Sequence, residues 1–417
     1  MSNLQKIILI IGFILVVFAV GFLLYILFFR PFIPTENANS NVNGNAVLPL
    51  ANGNANLRII TNVNGEFPLA GNINGNENIN NAGIEAGQPT PTPTPTVVVT
   101  SLTENIAINP TLSPDGKSIY YYDSQNDKFY TVGADGKQTV FTDKVFHEVD
   151  QVTWSPNKDK AVLEYPDGSN IVYDFKTKTQ VSLPAHWEDF GFSQDGDKII
   201  SKNISMNAEN NFLIITDSSG TQTKIIQSLG NNGDKVIPAW SPNNQMVAFF
   251  VGDSGLDQQE VYFIGQNDEN FKSMMVEGWG FQGQWTPQGD RVLYSVYSTA
   301  TQNKPELWVA DASVNTIGRN RQRIEIQTWA DKCTFYDNTT VYCAVPKSLQ
   351  EGAGMLQSEM DTSADSIYKI NLSTGTKYQI AVPSQDHTMQ NLMVSNDGKE
   401  IYFTDKSDGK IYKVPLQ

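Results

Sequence analysis

The three histidines of the chain stand in corresponding positions, each shortly before a strand that opens a repeated pattern. His147 precedes Trp154, His186 precedes Phe192, and His387 precedes Met393. Acids and indoles share the same connections, namely Glu148, Asp150, Trp187, Glu188, Asp189, Glu277, Trp279 and Asp386. Carboxylates, imidazoles and indole faces together suit a ligand that carries both cationic and apolar groups. The alternative interpretation is that these connections are simply polar and variable.

Catalytic motifs are the next candidates. The stretch Gly252-Asp253-Ser254-Gly255 resembles the nucleophile segment of trypsin-like proteases, but it falls in a loop between two strands. A serine nucleophile needs a base and an oxyanion site around it, so a turn is the favoured interpretation. The sequence has no nucleotide-binding glycine loop, no metal-ligand spacing of Cys or His, and no nucleophile elbow. We therefore predict no enzymatic activity, no metal and no cofactor.

Cys333 and Cys343 are the only cysteines, and they lie symmetrically about Asn338. If a hairpin turns at Asn338, the two residues oppose each other with β-carbons about 4.5 to 5.5 Å apart. That separation is near disulfide reach. We predict a disulfide between them, and two free buried thiols are the alternative.

These residues belong to a pattern that occurs seven times. Each copy has a large apolar residue, a turn related to Ser-Pro-Asp-Gly, a polar residue, and a strand rich in β-branched and aromatic residues. The copies are Leu112-Ser113-Pro114-Asp115-Gly116, Trp154-Ser155-Pro156-Asn157, Phe192-Ser193-Gln194-Asp195-Gly196, Trp240-Ser241-Pro242-Asn243, Trp285-Thr286-Pro287-Gln288-Gly289, Phe335-Tyr336-Asp337-Asn338 and Val394-Ser395-Asn396-Asp397-Gly398. The sixth copy is degenerate and shorter.

Each copy predicts a β-hairpin, because Ser and Asp side chains bond the turn backbone and Gly accepts positive φ. A third strand follows each hairpin, and a fourth usually follows that one. Repeats of about 40 to 50 residues with four strands each are typical of propeller blades. We therefore predict an all-β fold, a seven-bladed β-propeller over residues 96–417, with six blades as the alternative.

The two ends of this region complement each other. The last copy ends at Gln417 after its third strand, while the segment 96–102 has strand character and precedes the first copy. An open propeller would expose an unpaired sheet edge. We predict that residues 96–102 supply the outer strand of the seventh blade and close the ring.

The first thirty residues predict a membrane anchor. The run from Ile7 to Phe29 carries no charge, and a helix rise of about 1.5 Å per residue makes it long enough to cross a bilayer. We predict a cytoplasmic N-terminus at 1–6 and a transmembrane signal-anchor at 7–29, with a cleaved signal peptide as the alternative. Lys6 and Arg30 flank both sides, so orientation rests on the short N-terminus and the predicted disulfide, which favour an extracytoplasmic propeller.

Residues 30–95 are rich in Asn, Gly and Ala and end in alternating Pro and Thr. Such a composition cannot bury a core and favours turns and extended polyproline geometry. We predict a disordered linker that acts as a spacer, or alternatively a glycosylated or wall-spanning stalk.

The formal net charge of −15 limits the classes of partner. An acidic surface repels phosphate backbones, so we predict no nucleic-acid binding.

The Ser-Pro-Asp-Gly-Lys turn followed by a strand resembles the blade repeat of TolB-like, or WD40-like (PD40-type), propellers, over roughly residues 107–417. TolB itself has six blades, an additional α/β domain and a cleaved signal, so its own partners do not transfer. The resemblance implies a class of extracytoplasmic propellers that bind peptides or proteins.

Three functions follow from these observations. The first is a membrane-tethered propeller that binds a protein, peptide or cell-envelope component through the acidic and aromatic connections. The second is an enzyme acting on glycans or peptides at the same face, and the third is a structural scaffold in an envelope assembly. Binding ranks first because no pair or triad with catalytic spacing is present.

Overall fold

In the computed structural model the described residues, 96–416, form seven β-sheets, six with four strands and one with five. Each of the seven sheets is one blade of a β-propeller, as the repeat predicts. The segments 1–6, 7–29 and 30–95, assigned from the sequence to a cytoplasmic end, an anchor and a linker, lie outside the described residues. Within residues 96–416, no helix has the length and apolar character needed to span a membrane.

Blades 1 to 6 each hold four consecutive strands, and blade 7 holds three consecutive strands and β2. The strands are numbered along the chain. Blades 1 and 2 contain β3 (Ala107–Leu112), β4 (Ser118–Asp123), β5 (Lys128–Gly133), β6 (Gln138–Val140), β7 (Gln151–Trp154), β8 (Lys160–Glu164), β9 (Asn170–Asp174) and β10 (Thr179–Leu183). Blades 3 and 4 contain β11 (Trp187–Phe192), β12 (Lys198–Asn203), β13 (Phe212–Asp217), β14 (Lys224–Ser228), β15 (Val236–Pro238), β16 (Met246–Gly255), β17 (Gln258–Gly265) and β18 (Met274–Val276).

The remaining blades follow the same plan. Blade 5 contains β19 (Trp279–Trp285), β20 (Arg291–Tyr297), β21 (Pro305–Asp311) and β22 (Gln322–Arg323). Blades 6 and 7 contain β23 (Cys333–Phe335), β24 (Thr340–Pro346), β25 (Asp365–Asn371), β26 (Lys377–Pro383), β27 (Met389–Val394), β28 (Glu400–Asp405) and β29 (Ile411–Pro415). The first strands of successive blades approach one another, so they surround the central channel.

Short helices occur only in the connections of this region. The 3-10 helices are Ala208–Asn210, Gly233–Lys235, Thr299–Thr301, Ala330–Lys332 and Ala353–Met355, and the α-helix α1 spans Gln357–Met360.

The Ser-Pro-Asp-Gly turns join the first and second strands of the blades. In blade 1, the Ser113 hydroxyl donates to Asp115 Oδ1 at 2.6 Å and accepts from the Ser118 backbone N–H at 3.1 Å. Gly116 completes the turn with a φ of +67°, which a residue without a β-carbon adopts at little cost. One hydroxyl therefore holds both ends of the hairpin.

The first strands alternate between two forms around most of the ring. Those of blades 1, 3, 5 and 7 contain a register shift at a residue with positive φ, namely Asn109, Asp189, Gly280 and Asn391. The first strands of blades 2, 4 and 6 are shorter and pair without a shift. A bulge turns side chains away from the pleat, so the bulged strands aim polar groups differently from the regular ones.

The ring closes through the segment preceding β3. Thr100–Ser101 (β2) pairs antiparallel with β29 of blade 7, and the Leu102 N–H donates to the Ile411 carbonyl at 2.8 Å. This is the outer position that the sequence assigned to residues 96–102. An additional pairing was not expected: Thr96–Val97 (β1) adds to blade 6 as a fifth strand, parallel to β26. The segment 96–101 therefore bridges two blades.

The sixth blade contains the disulfide. Cys333 and Cys343 are directly opposed in the β23–β24 pair, their α-carbons are 4.0 Å apart, and their sulfurs are bonded. Both residues are buried in the core between blades 5 and 6. The hairpin turns at Asn338, as the sequence symmetry requires.

We predict that Leu102→Ala destabilises the propeller by about 2 to 5 kcal/mol, because it removes a buried leucine from the closing segment. Val98→Ala is the matched control, since Val98 lies in the same segment but is 72% exposed. Its substitution should change stability by no more than about 0.5 kcal/mol. Thermal unfolding followed by circular dichroism measures both. Equal unfolding midpoints for the two variants would contradict closure by this segment.

We also predict that alkylation of the denatured, unreduced chain modifies neither cysteine, as measured by mass spectrometry. Reduction should lower the stability by at most about 2 to 3 kcal/mol, because the bridged loop is short. Two alkylated thiols in the unreduced protein would refute the bridge.

Candidate functional site

Carboxylates from two connections and two strands converge near a buried lysine at the mouth of the channel. Lys202, in the second strand of blade 3, donates from Nζ to the Gly233 carbonyl at 3.0 Å. The same Nζ lies 2.5 Å from Asp189 Oδ2 and 3.6 Å from Glu188 Oε1. The Lys202 side chain is 6% exposed, whereas both carboxylates are more than half exposed. The buried lysine thus fixes the positions of the two more exposed acids.

The position of Asp189 depends on the bulge in β11. The register of β11 with β12 shifts between Glu188 and Gly191, and Asp189 has a φ of +54°. Asp and Asn tolerate this left-handed region better than most residues. The bulge allows Glu188 and the adjacent Asp189 to approach the same ammonium group, although neighbours in a regular strand point to opposite faces.

Glu164, the last residue of β8, is a third carboxyl group near this cluster. Burial, and after it the negative charges of Asp189, Asp150 and Glu188, together raise its pKa from 4.5 to about 7. Asp150 is tied to this strand end because its N–H donates to the Glu164 carbonyl at 2.9 Å. Near neutral pH the Glu164 side chain is therefore partly a neutral acid, which can donate a hydrogen bond, and partly a carboxylate.

A cavity of about 340 Å³ lies among these groups. Its walls come from the first strands of blades 2, 3 and 4, from the second strands of blades 2 and 3, and from the connection that precedes β15. The lining residues are Gln151, Thr153, Glu164, Asp189, Phe190, Lys202, Asp234, Val236, Ile237 and Pro238. The cavity therefore offers carboxylates beside an apolar wall, which suits a cationic group on an apolar stem.

Among the residues singled out in the sequence, only Asp150, Glu188 and Asp189 join this cluster. Glu148 and His147 lie instead against blade 1. His147 Nδ1 is 2.9 Å from Asp127 Oδ2, and the Glu148 N–H donates to Asp127 Oδ1 at 3.2 Å. The His186 side chain is exposed, and its carbonyl accepts from the Ile204 N–H. The histidines do not form a ring.

The assignment of Trp187 to the binding surface is wrong. Trp187 is 7% exposed and packs in the core with Leu183, Ile199 and Ile214. Its Nε1 donates to Asn203 Oδ1 at 3.1 Å. An indole at the start of a first strand can fill the space between two blades. Trp187 does so here, because burying its large apolar ring is more favourable than leaving it exposed at the strand end.

The assignment of His387 to an exposed mouth is also wrong. His387 is 6% exposed, its Nδ1 lies 2.5 Å from Asp405 Oδ2, and its ring packs against Phe403 and Tyr412. A neighbouring buried network links the connection that contains His387, between β26 and β27, to blade 6. Lys332 Nζ donates to Asp361 and Asp365 at 2.7 and 2.9 Å, while Asp365 also accepts from the Met389 N–H. Burial raises the pKa of Asp365 to about 6.

The same network holds the long connection of blade 6, residues 347–364, which contains α1. Lys406 Nζ donates to the carbonyls of Ser358 and Asp361, and Gln357 bonds Asp331 and Gln282. The connection therefore contacts blade 5 through Gln282 and blade 7 through Lys406.

The remaining candidates lie apart from the cavity. Glu277 pairs with Arg321 at 3.0 Å, and Asp386 pairs with Lys347 at 3.0 Å. Trp279 begins β19 and is half-buried. Ser254 lies in the β16–β17 hairpin, and its hydroxyl contacts Met275 Sδ, so the protease-like stretch is part of a hairpin.

Sequence reasoning missed Glu164, Lys202 and Asp234. A signal for Lys202 does exist, because strand alternation places it on the same face as the buried Ile200, two residues earlier. A lysine on an apolar strand face requires a buried partner. No comparable signal marks Asp234, which reaches the cavity through the fold alone.

The comparisons with known proteins agree with the architecture. No protein-family model matches the chain, and no curated protein matches it. Among solved structures, the chain is similar to an oligogalacturonate lyase in complex with manganese, with 14% identity, a TM-score of 0.50, and coverage of 78% of this chain and 96% of that one. It is also similar to the Cps50 (Swd1) β-propeller domain of Myceliophteria thermophila, with 7% identity, a TM-score of 0.50, and coverage of 77% and 100%. Both likenesses show the fold alone.

We predict that Glu164 makes stability depend on pH. Its pKa is higher in the folded protein, so between pH 4.5 and about 7 the folded state binds more protons than the unfolded state. The free energy of unfolding therefore falls as pH rises through this window. Glu164→Gln should remove that decline, so its advantage in melting temperature over the parent should grow from pH 4.5 to about 7.5. A difference that stays constant with pH would contradict the raised pKa.

Proposed function

We propose that this protein is a membrane-tethered, extracytoplasmic β-propeller that binds a protein, peptide or cell-envelope component at the channel mouth of blades 2 to 4. The observation that carries the proposal is the cavity where Glu164, Asp189 and Asp234 surround the buried Lys202. Charged groups in a concave site beside apolar walls are a common arrangement for ligand recognition.

The chemistry of the cavity favours a basic ligand group. Glu188 and Asp150 lie at its edge, so five carboxyl groups accompany one ammonium. An incoming lysine or arginine side chain would place its charge near Asp234 and Glu188, and its methylene groups against Phe190 and Ile237. A ligand cation near Glu164 also favours the ionised form of that carboxyl group.

Binding is proposed over catalysis because the Lys202 ammonium is engaged within the protein. It donates to the Gly233 carbonyl and forms ion pairs with Asp189 and Glu188. An ammonium held in this way positions the acids and is poorly placed to exchange protons with a substrate. The neighbouring lyase named above acts on oligogalacturonate, a polyanion, which the acidic cavity would repel.

The proposed location rests on other features. The uncharged run 7–29 is long enough to anchor the chain, and residues 30–95 have the composition of a flexible spacer. The Cys333–Cys343 bridge suits an oxidising compartment. We propose that the spacer lets the propeller meet partners away from the lipid surface, with the N-terminus in the cytoplasm.

The test is capture of envelope proteins by the immobilised full-length chain in a neutral detergent. The double variant Glu188→Gln/Asp234→Asn should capture at least about tenfold less of any partner bound by the parent, because it removes two of the exposed charges at the cavity. Mass spectrometry of the eluted proteins measures the loss.

Glu104→Gln/Asp143→Asn is the matched control, since it makes the same chemical changes at exposed positions away from the cavity. Capture by this control should equal that of the parent, and circular dichroism should show that both variants are folded. Equal capture by the cavity variant and the control would refute this site.

A further inference from the structure

Blade 4 has a short fourth strand at its outer edge. Its fourth strand, β18, pairs only with Gln259, Glu260 and Val261 of β17. The second half of β17, Tyr262–Ile264, pairs with β16 on its inner side. Within residues 96–416, no neighbouring strand bonds the outer side of Tyr262–Ile264. In blade 2, by contrast, the fourth strand pairs along all of β9.

A groove of about 800 Å³ runs along this open edge, between the outer strand of blade 3 and blade 4. Ile226 of β14 forms one wall, and Phe250, Tyr262 and Phe271 supply aromatic surface. The rings of Phe250 and Tyr262 lie 5.7 Å apart, and Tyr262 is 41% exposed. The groove thus combines unpaired strand backbone with exposed apolar side chains.

The charges around the groove are mostly negative. Asp253, Asp268 and Glu269 line it together with the base Lys235, and a second base, Lys224, lies beside it and donates from Nζ to the Gln266 carbonyl at 2.7 Å. Lys235 is already paired with Asp253 at 3.1 Å, and Glu269 accepts from the Asn267 N–H at 2.7 Å. Asp268 has no partner within the described part of the chain. A ligand for this groove should therefore carry positive charge.

We propose that the groove binds an extended, basic segment of a partner protein, which adds to blade 4 as a strand along Tyr262–Ile264. The backbone of the segment would bond the open edge of β17, its apolar side chains would contact Phe250 and Tyr262, and its basic side chains would approach Asp268 and Glu269. Strand addition obtains affinity from backbone bonds and specificity from alternate side chains.

An open sheet edge favours this occupant over a helix or a small molecule. Unpaired strand N–H and C=O groups are templates for another strand, and a peptide strand lies about 4.7 to 4.9 Å from its neighbour. No residue of β18 occupies that position beside Tyr262. This groove and the channel-mouth cavity have no lining residue in common, although Lys235 of the groove follows Asp234 of the cavity.

The probe is a fluorescein-labelled heptapeptide of alternating lysine and valine, added to the full-length chain in a neutral detergent and followed by fluorescence anisotropy. The double variant Tyr262→Ala/Asp268→Lys should bind at least about tenfold more weakly than the parent. The matched control Tyr378→Ala/Asp143→Lys changes an exposed tyrosine and an exposed aspartate elsewhere, and it should bind like the parent.

Two further peptides separate strand addition from charge attraction. The heptapeptide N-methylated at every residue keeps its charges but cannot donate backbone hydrogen bonds, so it should lose at least about tenfold in affinity. A peptide with glutamate in place of lysine should not bind. Equal binding of the N-methylated peptide, or equal loss in the groove and control variants, would overturn the proposal.

The channel-mouth variant Glu188→Gln/Asp234→Asn distinguishes this proposal from the proposed function. It should bind the heptapeptide with parental affinity if the groove is the site. Loss of peptide binding in that variant alone would place the peptide at the channel mouth and refute the groove. Protection of the Tyr262–Ile264 amides from hydrogen exchange in the complex would support strand addition directly.

Discussion

The pairing of Thr100–Ser101 with β29 is the contact on which the rest of the propeller depends. Each blade buries its faces only against its two neighbours, as the mixed cores show: Phe249 of blade 4 packs with Phe281 and Tyr294 of blade 5. A ring of such blades stays intact only if its first and last members are joined. Here the segment 96–102 joins them and also pairs with blade 6. Val97 and Leu102 of this segment lie in two separate interblade cores.

The closed ring is also what makes the channel-mouth cavity possible. Lys202 is buried because the Gly233–Lys235 helix lies over it, and the Gly233 carbonyl accepts a hydrogen bond from its Nζ. Removing a lysine from water is costly unless acceptors replace the solvent. Asp189, Glu188 and Gly233 supply those acceptors from two blades, so the burial of this charge requires the blades to keep their spacing. The raised pKa of Glu164 follows from the same enclosure.

The repeat in the sequence predicted the hairpins and the number of blades. It did not predict which side chains are buried between the blades, because that depends on local packing. The seven Ser-Pro-Asp-Gly-like turns identified the hairpins and the number of blades, because a hydroxyl, an acid and a glycine at those positions satisfy one turn geometry. Chain position suggested that Trp187 and His387 would be exposed, yet the wedge between blades buries both. Their burial depends on which side chains lie opposite, and a repeat pattern carries no such information. Lys202 was detectable in principle from strand alternation, whereas Asp234 was not.

The two proposed binding surfaces share a physical origin, since each occurs where regular strand pairing is interrupted. At the channel mouth, the bulge in β11 turns Asp189 toward Lys202 beside Glu188. On the rim, the short β18 leaves the outer side of Tyr262–Ile264 without a strand. A regular blade satisfies its own backbone and presents alternating side chains, so it has little left to offer a partner. An irregular blade exposes backbone groups or redirects charges, while its regular neighbours keep the framework rigid. Bulges also occur in blades 1, 5 and 7, but in blades 3 and 4 a bulge beside the buried Lys202 and a short outer strand next to exposed aromatic side chains occur side by side, and this combination is what favours recognition in this sector of the ring.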